Sequence, residues 1–385
     1  MKKIKWKYYI PYVVLIAVAI FFGSMGLQRN LNRSVTTLLE KATIAMILAV
    51  SLNLVVGFLG ELSLGHAGFM CVGAYTGAKI AGLLSAGGAW SPLLGSASQN
   101  PLVVLIVCLV IGGAAAAICG VIIGLPALRL RGDYLAIVTL AFGEIVRSLF
   151  RNMPEEQFGG NLGLTTVRYD RYQLFIIGFA LVIVTLAIIQ NFIRSKHGRA
   201  VTSIRDSEIA ARACGINVTK YKLMVFTISA FFAGIAGVLF SFSNYKVQPG
   251  TFDYNYSIEI LVMVVLGGMG SLGGSLVSAA LITFLNDYLQ ITLTGDKAVL
   301  KDLLYALILI LLIIYRNAPA LKTFREKVSI KNLFNRFRKP KDPSHIADDE
   351  HNWDRVPTKI EIDEVLSIDV KVTSPYTPDK PQKEK

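Results

Sequence analysis

Charged residues are scarce in this chain. Asp, Glu, Lys and Arg make up 17% of its 385 residues, and 53% of the residues are hydrophobic, whereas a soluble domain carries about 25% charged residues. Several apolar runs reach the roughly 20 residues that a helix needs to cross a bilayer. Helices are required there because hydrocarbon offers no partner to a free backbone N–H or C=O. The sequence therefore predicts an all-α polytopic membrane protein.

Cysteine is rare as well, with four residues in the whole chain. Cys71, Cys108 and Cys119 lie in apolar runs and Cys214 lies in a charged segment, so no spacing indicates a disulfide framework or a metal site. Acidic residues are outnumbered by basic ones, 26 to 39, but the basic residues gather in particular loops and near both termini. This is the pattern that orients membrane proteins, and it argues against a nucleic-acid partner.

About ten spans are predicted from the apolar runs. The runs are 9–27, 38–59, 62–84, 101–124, 133–150, 172–193, 221–242, 257–274, 275–293 and 299–316. The third and the eighth to ninth are rich in glycine, and we expect that they are broken or re-entrant. Two glycine-rich zones, 57–77 and 267–274, sit in opposite halves of the chain, a hint of an inverted repeat.

Charge also predicts orientation and domain boundaries. With ten spans, the basic clusters at the N-terminus, after residue 124, around 194–222 and after residue 316 fall on one side, so that side and both termini are predicted to be cytoplasmic. Residues 1–316 then form a transmembrane domain. Residues 317–385 are predicted to be a basic juxtamembrane stretch and a disordered cytoplasmic tail, because they have little apolar periodicity. A tail that binds a partner remains an alternative.

A charged, amphipathic segment, GRAVTSIRDSEIAARACGIN, interrupts the apolar sequence at 198–217. Gly215 supplies a helix stop, and Ser203 or Ser207 could cap a helix start. One interpretation is a helix resting on lipid headgroups, which Arg on a polar face favours. The other is a docking helix for a soluble partner, because Ala210 and Ala211 permit close approach of a backbone.

Several stretches resemble a known family. "SEIAARACGIN" is similar to the cytoplasmic coupling motif of ABC importer permeases, Glu-Ala-Ala, three residues, then Gly, with Ile209 in the place of the Glu. After this resemblance we call residues 198–217 the coupling segment. Four further stretches resemble the LivM-type branched-chain amino acid permeases over roughly residues 38–316. They are "LNLVVGFLGELSLGHAGFMCVGAY" (52–75), "LRLRGDYLAIVTLAFGEIVR" (128–147), "GGNLGL" (159–164) and "GGMGSLGG" (267–274). The family usually has Pro near Ser275 and Gly near Ser278, so this chain departs from it there.

The resemblance implies a membrane subunit of a bacterial cell-membrane ABC importer for Leu, Ile and Val. It implies a homologous second permease, two cytoplasmic ATPase subunits and an extracytoplasmic binding protein, which would meet outer loops 151–171 and 243–257. The chain has no G-x-x-x-x-G-K-[ST] phosphate loop. ATP is therefore expected on a partner, and the chain itself is expected to bind no cofactor and to be no enzyme. The residues expected at the ATPase are Arg199, Arg205, Ser207, Glu208, Ala210, Ala211, Gly215 and Ile216.

Polar residues within the apolar spans are candidates for the translocation path. They are Asn53, Ser63, His66 and Glu144. Asn53 and Ser63 face either the path or a neighbouring helix. His66 is interpreted as a hydrogen-bonded residue at a tight helix break, because its distance from Glu61 is not a zinc-site spacing. Glu144 is expected to pair with Arg147 one turn away, as a structural brace.

Just before the fifth predicted span, Arg129, Arg131 and Asp133 are interpreted as charges that set topology and cap a helix, with contact to the ATPase as the alternative.

Two other functions remain open at this stage. One is an importer of urea or short amides, whose permeases are similar. The other is a stand-alone secondary transporter or channel, which would need intramembrane acids for ion coupling. Glu144 and Asp287 are the only acids that the sequence suggests for that role.

Overall fold

The computed structural model describes residues 33–85, 88, 100–130, 132–167 and 169–292, with single positions at 303, 304, 306, 307, 310 and 314. The predicted first span, most of the last one, Arg131 and the predicted tail lie outside the described residues. Within them, six helices are long and apolar enough to cross a membrane. They are Ser34–Leu59, His66–Leu84, Pro101–Ala127, Gln173–Arg194, Val218–Asn244 and Leu272–Thr292.

The α-helices of the described part are numbered in chain order. They are α1 (Arg33–Asn53), α2 (His66–Leu84), α3 (Pro101–Ala127), α4 (Asp133–Asn152), α5 (Glu155–Phe158), α6 (Arg171–Arg194), α7 (Lys196–Asp206), α8 (Glu208–Ala213), α9 (Val218–Asn244), α10 (Tyr254–Gly267) and α11 (Leu272–Thr292). A π-helical turn, Leu54–Leu59, continues α1, and two 3₁₀ turns lie at Gly160–Leu162 and Pro249–Thr251. Strands β1 (Leu164–Thr165) and β2 (Lys246–Val247) pair antiparallel, with Leu164 opposite Val247.

Helix α1 forms the centre of the bundle. In the apolar window of this span 94% of the residues are buried, against 33% for α6 and 39% for α11. It packs against α6, α9, α10 and α11. Leu48 and Leu52 are fully enclosed. A change in α1 therefore affects these four helices directly.

Glycine lets α2, α3 and α9 approach one another closely. A Cβ on Gly73 would lie 2.2 Å from the carbonyl oxygen of Gly234 on α9, and a Cβ on Gly112 of α3 would lie 3.1 Å from that of Gly73. Small residues at helix interfaces are typical of membrane proteins, where close van der Waals packing holds helices together. This part of the bundle is tightly packed.

Three predicted span boundaries are wrong. The third span begins at His66, not at 62, because residues 60–65 are not helical. The eighth ends at Gly267 and the ninth begins at Leu272, so the break lies at 268–271 rather than after 274. Gly268 and Gly270 have φ of +98° and +80°, which ends the helix there. The fifth span forms α4 but is not among the six helices apolar enough to cross a membrane.

Candidate functional site

The coupling segment folds as two helices rather than one. Helix α7 ends at Asp206 and α8 begins at Glu208, with Ser207 extended between them at φ −159°. The Ser207 hydroxyl accepts a hydrogen bond from the backbone N–H of Ala210 at 3.3 Å. A serine that caps a helix in this way competes with continuation of the preceding helix. The cap predicted at Ser207 is confirmed, whereas Ser203 donates to the carbonyl of Ala200 within α7.

The predicted helix stop at Gly215 is confirmed. Gly215 has φ of +80°, and its N–H donates to the carbonyl of Arg212 at 3.0 Å. The N–H of Ile216 donates to the carbonyl of Ala211, also at 3.0 Å. This pair of bonds around a left-handed residue is the Schellman motif, which favours glycine at this position. The chain thus reverses sharply before α9.

Much of the outer surface of the coupling segment is open to solvent. Ile209 is 80% exposed, and Arg199, Ala210, Arg212 and Gly215 are exposed as well. The Ile209 side chain is therefore accessible to a partner. Ala211, which is also predicted to lie at the ATPase, is only 3% exposed. Its side chain packs inward against the bundle.

Arg205 ties α7 to the end of α1. Its Nη1 donates a hydrogen bond to the carbonyl oxygen of Gly57 at 3.2 Å, and its Nη2 lies 2.9 Å from a carboxylate oxygen of Asp206. The stem of Arg205 crosses Gly60, where a Cβ would lie 2.7 Å from the Cγ of the arginine. Gly57 belongs to the π-helical turn and Gly60 ends it at φ +81°. We call this end of the bundle the inner end.

A buried lysine forms a second tie. The ammonium of Lys222 on α9 lies 2.5 Å from Oε1 of Glu61 and 3.2 Å from Oε2 of Glu208, the first residue of α8. Arg212 pairs with the other oxygen of Glu208 at 2.5 Å. The sequence interpretation missed this cluster. The available signal was a lysine and a glutamate flanking apolar spans, since such charges are rarely buried without a partner.

Asn53 joins the π-helical turn to the break between α10 and α11. Its amide donates to the carbonyl of Ser271 at 3.1 Å and to the hydroxyl of Ser275 at 2.8 Å. Its Oδ1 accepts from the N–H of Gly270 at 2.9 Å. Asn53 is fully buried, so of the two predicted alternatives the geometry favours a contact with neighbouring helices.

Gly57 and Gly270 also meet closely, since a Cβ on Gly57 would lie 2.2 Å from the N of Gly270. The two glycine-rich zones thus pack together at the inner end. Equivalent interruptions of an inverted repeat can meet near the middle of the membrane, so this contact does not test the repeat, which stays a prediction.

Ser63 and His66 are buried near the start of α2. The Nε2 of His66 lies 2.8 Å from the hydroxyl of Ser51, which agrees with its interpretation as a hydrogen-bonded residue at a helix break. The hydroxyl of Ser63 has no hydrogen-bond partner among the described residues. Those residues also contain no group of three or more His, Cys, Asp or Glu side chains placed to hold a metal ion.

Glu144 and Arg147 form the predicted pair on α4, with 2.8 Å between the carboxylate and the guanidinium.

Glu40 is a further intramembrane acid, so the prediction that Glu144 and Asp287 are the only ones is wrong. Glu40 is 2% exposed in α1. The hydroxyl of Ser243 donates to its Oε2, and Arg171 lies 3.9 Å away. In the sequence it stands beside Lys41 near the start of a span and looks like a rim charge. Asp287 pairs with Lys41 at 2.8 Å.

Apolar spanning helices around a buried central helix, with a charged two-helix segment at one end, define a polytopic α-helical membrane protein. The family model described as "branched-chain amino acid transport system / permease component" matches residues 34–314. The chain belongs to this family and is thus an ABC transporter permease, a multi-pass protein of the bacterial inner membrane.

Individual relatives agree with this assignment. The high-affinity branched-chain amino acid transport system permease protein LivM of Salmonella typhimurium is 33% identical over 360 residues, covering 86% of this chain and 78% of the relative. The LivM protein of Escherichia coli K12 is 32% identical over 361 residues with the same coverage. The ribose import permease protein RbsC of Escherichia coli K12 is 25% identical over 324 residues, covering 80% and 92%. No solved structure matches the chain significantly.

Proposed function

We propose that this chain is the membrane subunit of an ABC importer that moves branched-chain amino acids into the cell, driven by ATP hydrolysis on a separate subunit. The coupling segment is the observation that carries the proposal. It is a capped, charged helix pair with an exposed apolar tip at Ile209, and Arg205 ties it to the central helix. The names of the two LivM relatives support the substrate class.

The proposal includes four kinds of partner. A homologous second permease completes the membrane part, and two cytoplasmic ATPases dock on the coupling segments. Nucleotide-driven closing of the ATPase pair pushes on α7 and α8, and the spans rock between inward-open and outward-open states. Lipid surrounds the spans, and both termini are cytoplasmic.

An extracytoplasmic binding protein is the partner proposed for the opposite end of the bundle. The outer loops predicted at 151–171 and 243–257 are joined there by the β1–β2 pair and by a hydrogen bond from the N–H of Thr166 to the carbonyl of Tyr245 at 2.8 Å. Tyr245 and Tyr254 are exposed on this face, and tyrosine is enriched at protein interfaces. Selection among solutes then rests mainly on the binding protein.

Backbone strain at Gly215 provides the test. Nothing lies within 4 Å of the position that a Cβ would take, so bulk itself is accommodated, but the φ of +80° disfavours most side chains. Asn tolerates this conformation, whereas a β-branched residue does not. We expect Gly215→Val to abolish ATP-driven leucine uptake while the protein still inserts into the membrane, and Gly215→Asn to retain most of the uptake.

The measurement is accumulation of labelled leucine by vesicles that contain the complete transporter, with isoleucine, valine, urea and ribose as competitors. Unchanged uptake by Gly215→Val would contradict a coupling role for the segment. Competition by urea or ribose, but not by isoleucine and valine, would contradict the substrate. Uphill uptake by the purified chain alone would contradict the ABC mechanism and favour a secondary transporter.

A further inference from the structure

The Lys222 ammonium contacts acids from two other elements at the inner end. Glu61 follows Gly60, the residue that ends the π-helical turn, and Glu208 is the first residue of α8. Lys222 itself is 3% exposed and lies in the first turns of α9. One ammonium therefore fixes the distance between the coupling segment and the end of the central helix.

Burial makes this connection stiff. Hydrogen bonds between ionised partners are shorter and stronger than neutral ones, and an ammonium shielded from water is attracted to carboxylates more strongly than one at the surface. Moving both acids away from Lys222 would leave its ammonium buried without a counter-charge, which disfavours separation of the three groups. We propose that Lys222 is a positioning residue, which holds α8 to the π-helical end of α1 so that movement of the coupling segment reaches the centre of the bundle.

The neighbouring contacts give this movement a route. Arg205 holds α7 to Gly57 on one side of the bend at Ser207, and Lys222 holds α8 to Glu61 on the other. Both helices of the coupling segment are thus attached to the same short stretch, residues 57–61. Gly57 in turn abuts Gly270 in the break between α10 and α11. A displacement of the coupling segment therefore reaches two helix interruptions at once, the π-helical turn and the α10–α11 break.

The end of α1 is suited to respond to such a displacement. Residues 54–59 are π-helical and end at Gly60, whose left-handed conformation costs glycine little. A π-helical turn is a strained departure from the α-helix and is often found at functional sites. A return of this turn to α-helical bonding would shift residues 57–61 relative to α10 and α11, in the manner of other helix register changes.

The inference rests on the proposed function, and the complete transporter in proteoliposomes tests it. The variant is Lys222→Met, which keeps the length of the side chain and removes its charge. Lys222→Arg is the conservative variant. Lys220→Met is the matched control, since Lys220 lies two residues earlier on α9 and is exposed. The readout is the amount of leucine accumulated per ATP hydrolysed. If Lys222 had a purely structural role, its substitution would not change this ratio.

We expect Lys222→Met to lower that ratio about tenfold while ATP hydrolysis continues, and Lys222→Arg to stay within about twofold of the unmodified chain. Lys220→Met leaves the ratio unchanged. Glu208→Gln replaces Lys222→Met in the experiment if that variant does not fold. It keeps the Lys222–Glu61 pair, and we expect it to lower the ratio of leucine to ATP about threefold. A ratio that stays constant in both Lys222→Met and Glu208→Gln would overturn the inference.

Hydrogen exchange of the backbone amides of residues 54–61, measured in the same complexes, tests whether movement of the coupling segment reaches the end of α1. It needs no transported substrate. Nucleotide is expected to change exchange there in the unmodified chain and in Lys222→Arg, but not in Lys222→Met. An equal change in Lys222→Met would overturn the inference. If the unmodified complex shows the nucleotide effect but takes up no leucine, the proposed substrate fails and the role of Lys222 stands.

Discussion

Replacing Gly57 by alanine tests the contact between the π-helical turn and the α10–α11 break. The new Cβ would lie 1.9 Å from Oδ1 of Asn53 and 2.2 Å from the backbone N of Gly270. Neither neighbour is the free end of a flexible chain, because Asn53 is held by hydrogen bonds to Gly270, Ser271 and Ser275. The break would have to retreat by about 1.2 Å to restore van der Waals contact.

The cost follows from two effects. Overpacking a close contact destabilises by about 1–3 kcal/mol, and each hydrogen bond of Asn53 that lengthens removes about 0.5–1.5 kcal/mol. We expect Gly57→Ala to lower the free energy of unfolding by about 2–4 kcal/mol, seen as a melting temperature lower by a few degrees. We also expect uptake to fall more than protein yield, because the contact lies on the route from the coupling segment.

The matched control is Gly82→Ala, on the exposed side of α2, where nothing lies within 4 Å of the new Cβ. Alanine there is expected to be neutral or to stabilise by up to about 1 kcal/mol, since glycine is the poorer helix former. The assay is thermal unfolding of the detergent-solubilised complex, followed by leucine uptake in vesicles. Equal melting temperatures and equal uptake for the two variants would refute the close contact at Gly57.

Two further predictions separate an ATP-driven importer from an ion-coupled transporter. Glu40→Gln keeps the shape of the buried side chain. We expect leucine uptake by this variant to continue, and to persist after ion gradients are dissipated at constant ATP. Loss of uptake would instead point to an ion-coupling carboxyl group. The double variant Glu144→Gln/Arg147→Met is expected to retain uptake. Glu144→Gln alone is expected to lower the melting temperature further than the double variant, because it leaves Arg147 partly buried without its partner. Equal melting temperatures for the two variants would contradict a structural brace.

Apolar length predicted most of the described spans from the sequence alone. Runs such as 101–124 and 221–242 correspond to α3 and α9 with shifts of a few residues at the ends. The interruptions were located less well. The π-helical turn 54–59 is as apolar as the helix before it, so nothing in its residue types marks the change. At the α10–α11 break, glycine was visible but several glycines in succession left the position of the turn open.

The coupling segment was predictable where local chemistry decides its shape. Ser207, one of the two predicted caps, carries the cap in its side chain, and Gly215 carries the stop in its backbone freedom at positive φ. The contacts that anchor the segment were not predictable, because they join distant parts of the chain. Arg205 and Gly57 are 148 residues apart, and Lys222 and Glu61 are 161 apart. No local pattern encodes which partner a charge will meet across a bundle.

The arrangement of these long-range contacts bears on how ATP hydrolysis on the proposed partner subunit could move this permease. Asn53 and Gly57 lie along the end of one helix and Glu61 lies just beyond it, and each contacts a different element: the α10–α11 break, Arg205 of α7, and Lys222 of α9. Because this helix is also the most deeply buried span in the described part of the chain, a displacement at its inner end reaches α6, α9, α10 and α11, which pack against it. A packed interior transmits strain instead of absorbing it. A rigid connection at Lys222 and Arg205, next to a π-helical turn able to change its bonding, therefore favours a switch between discrete states over gradual bending.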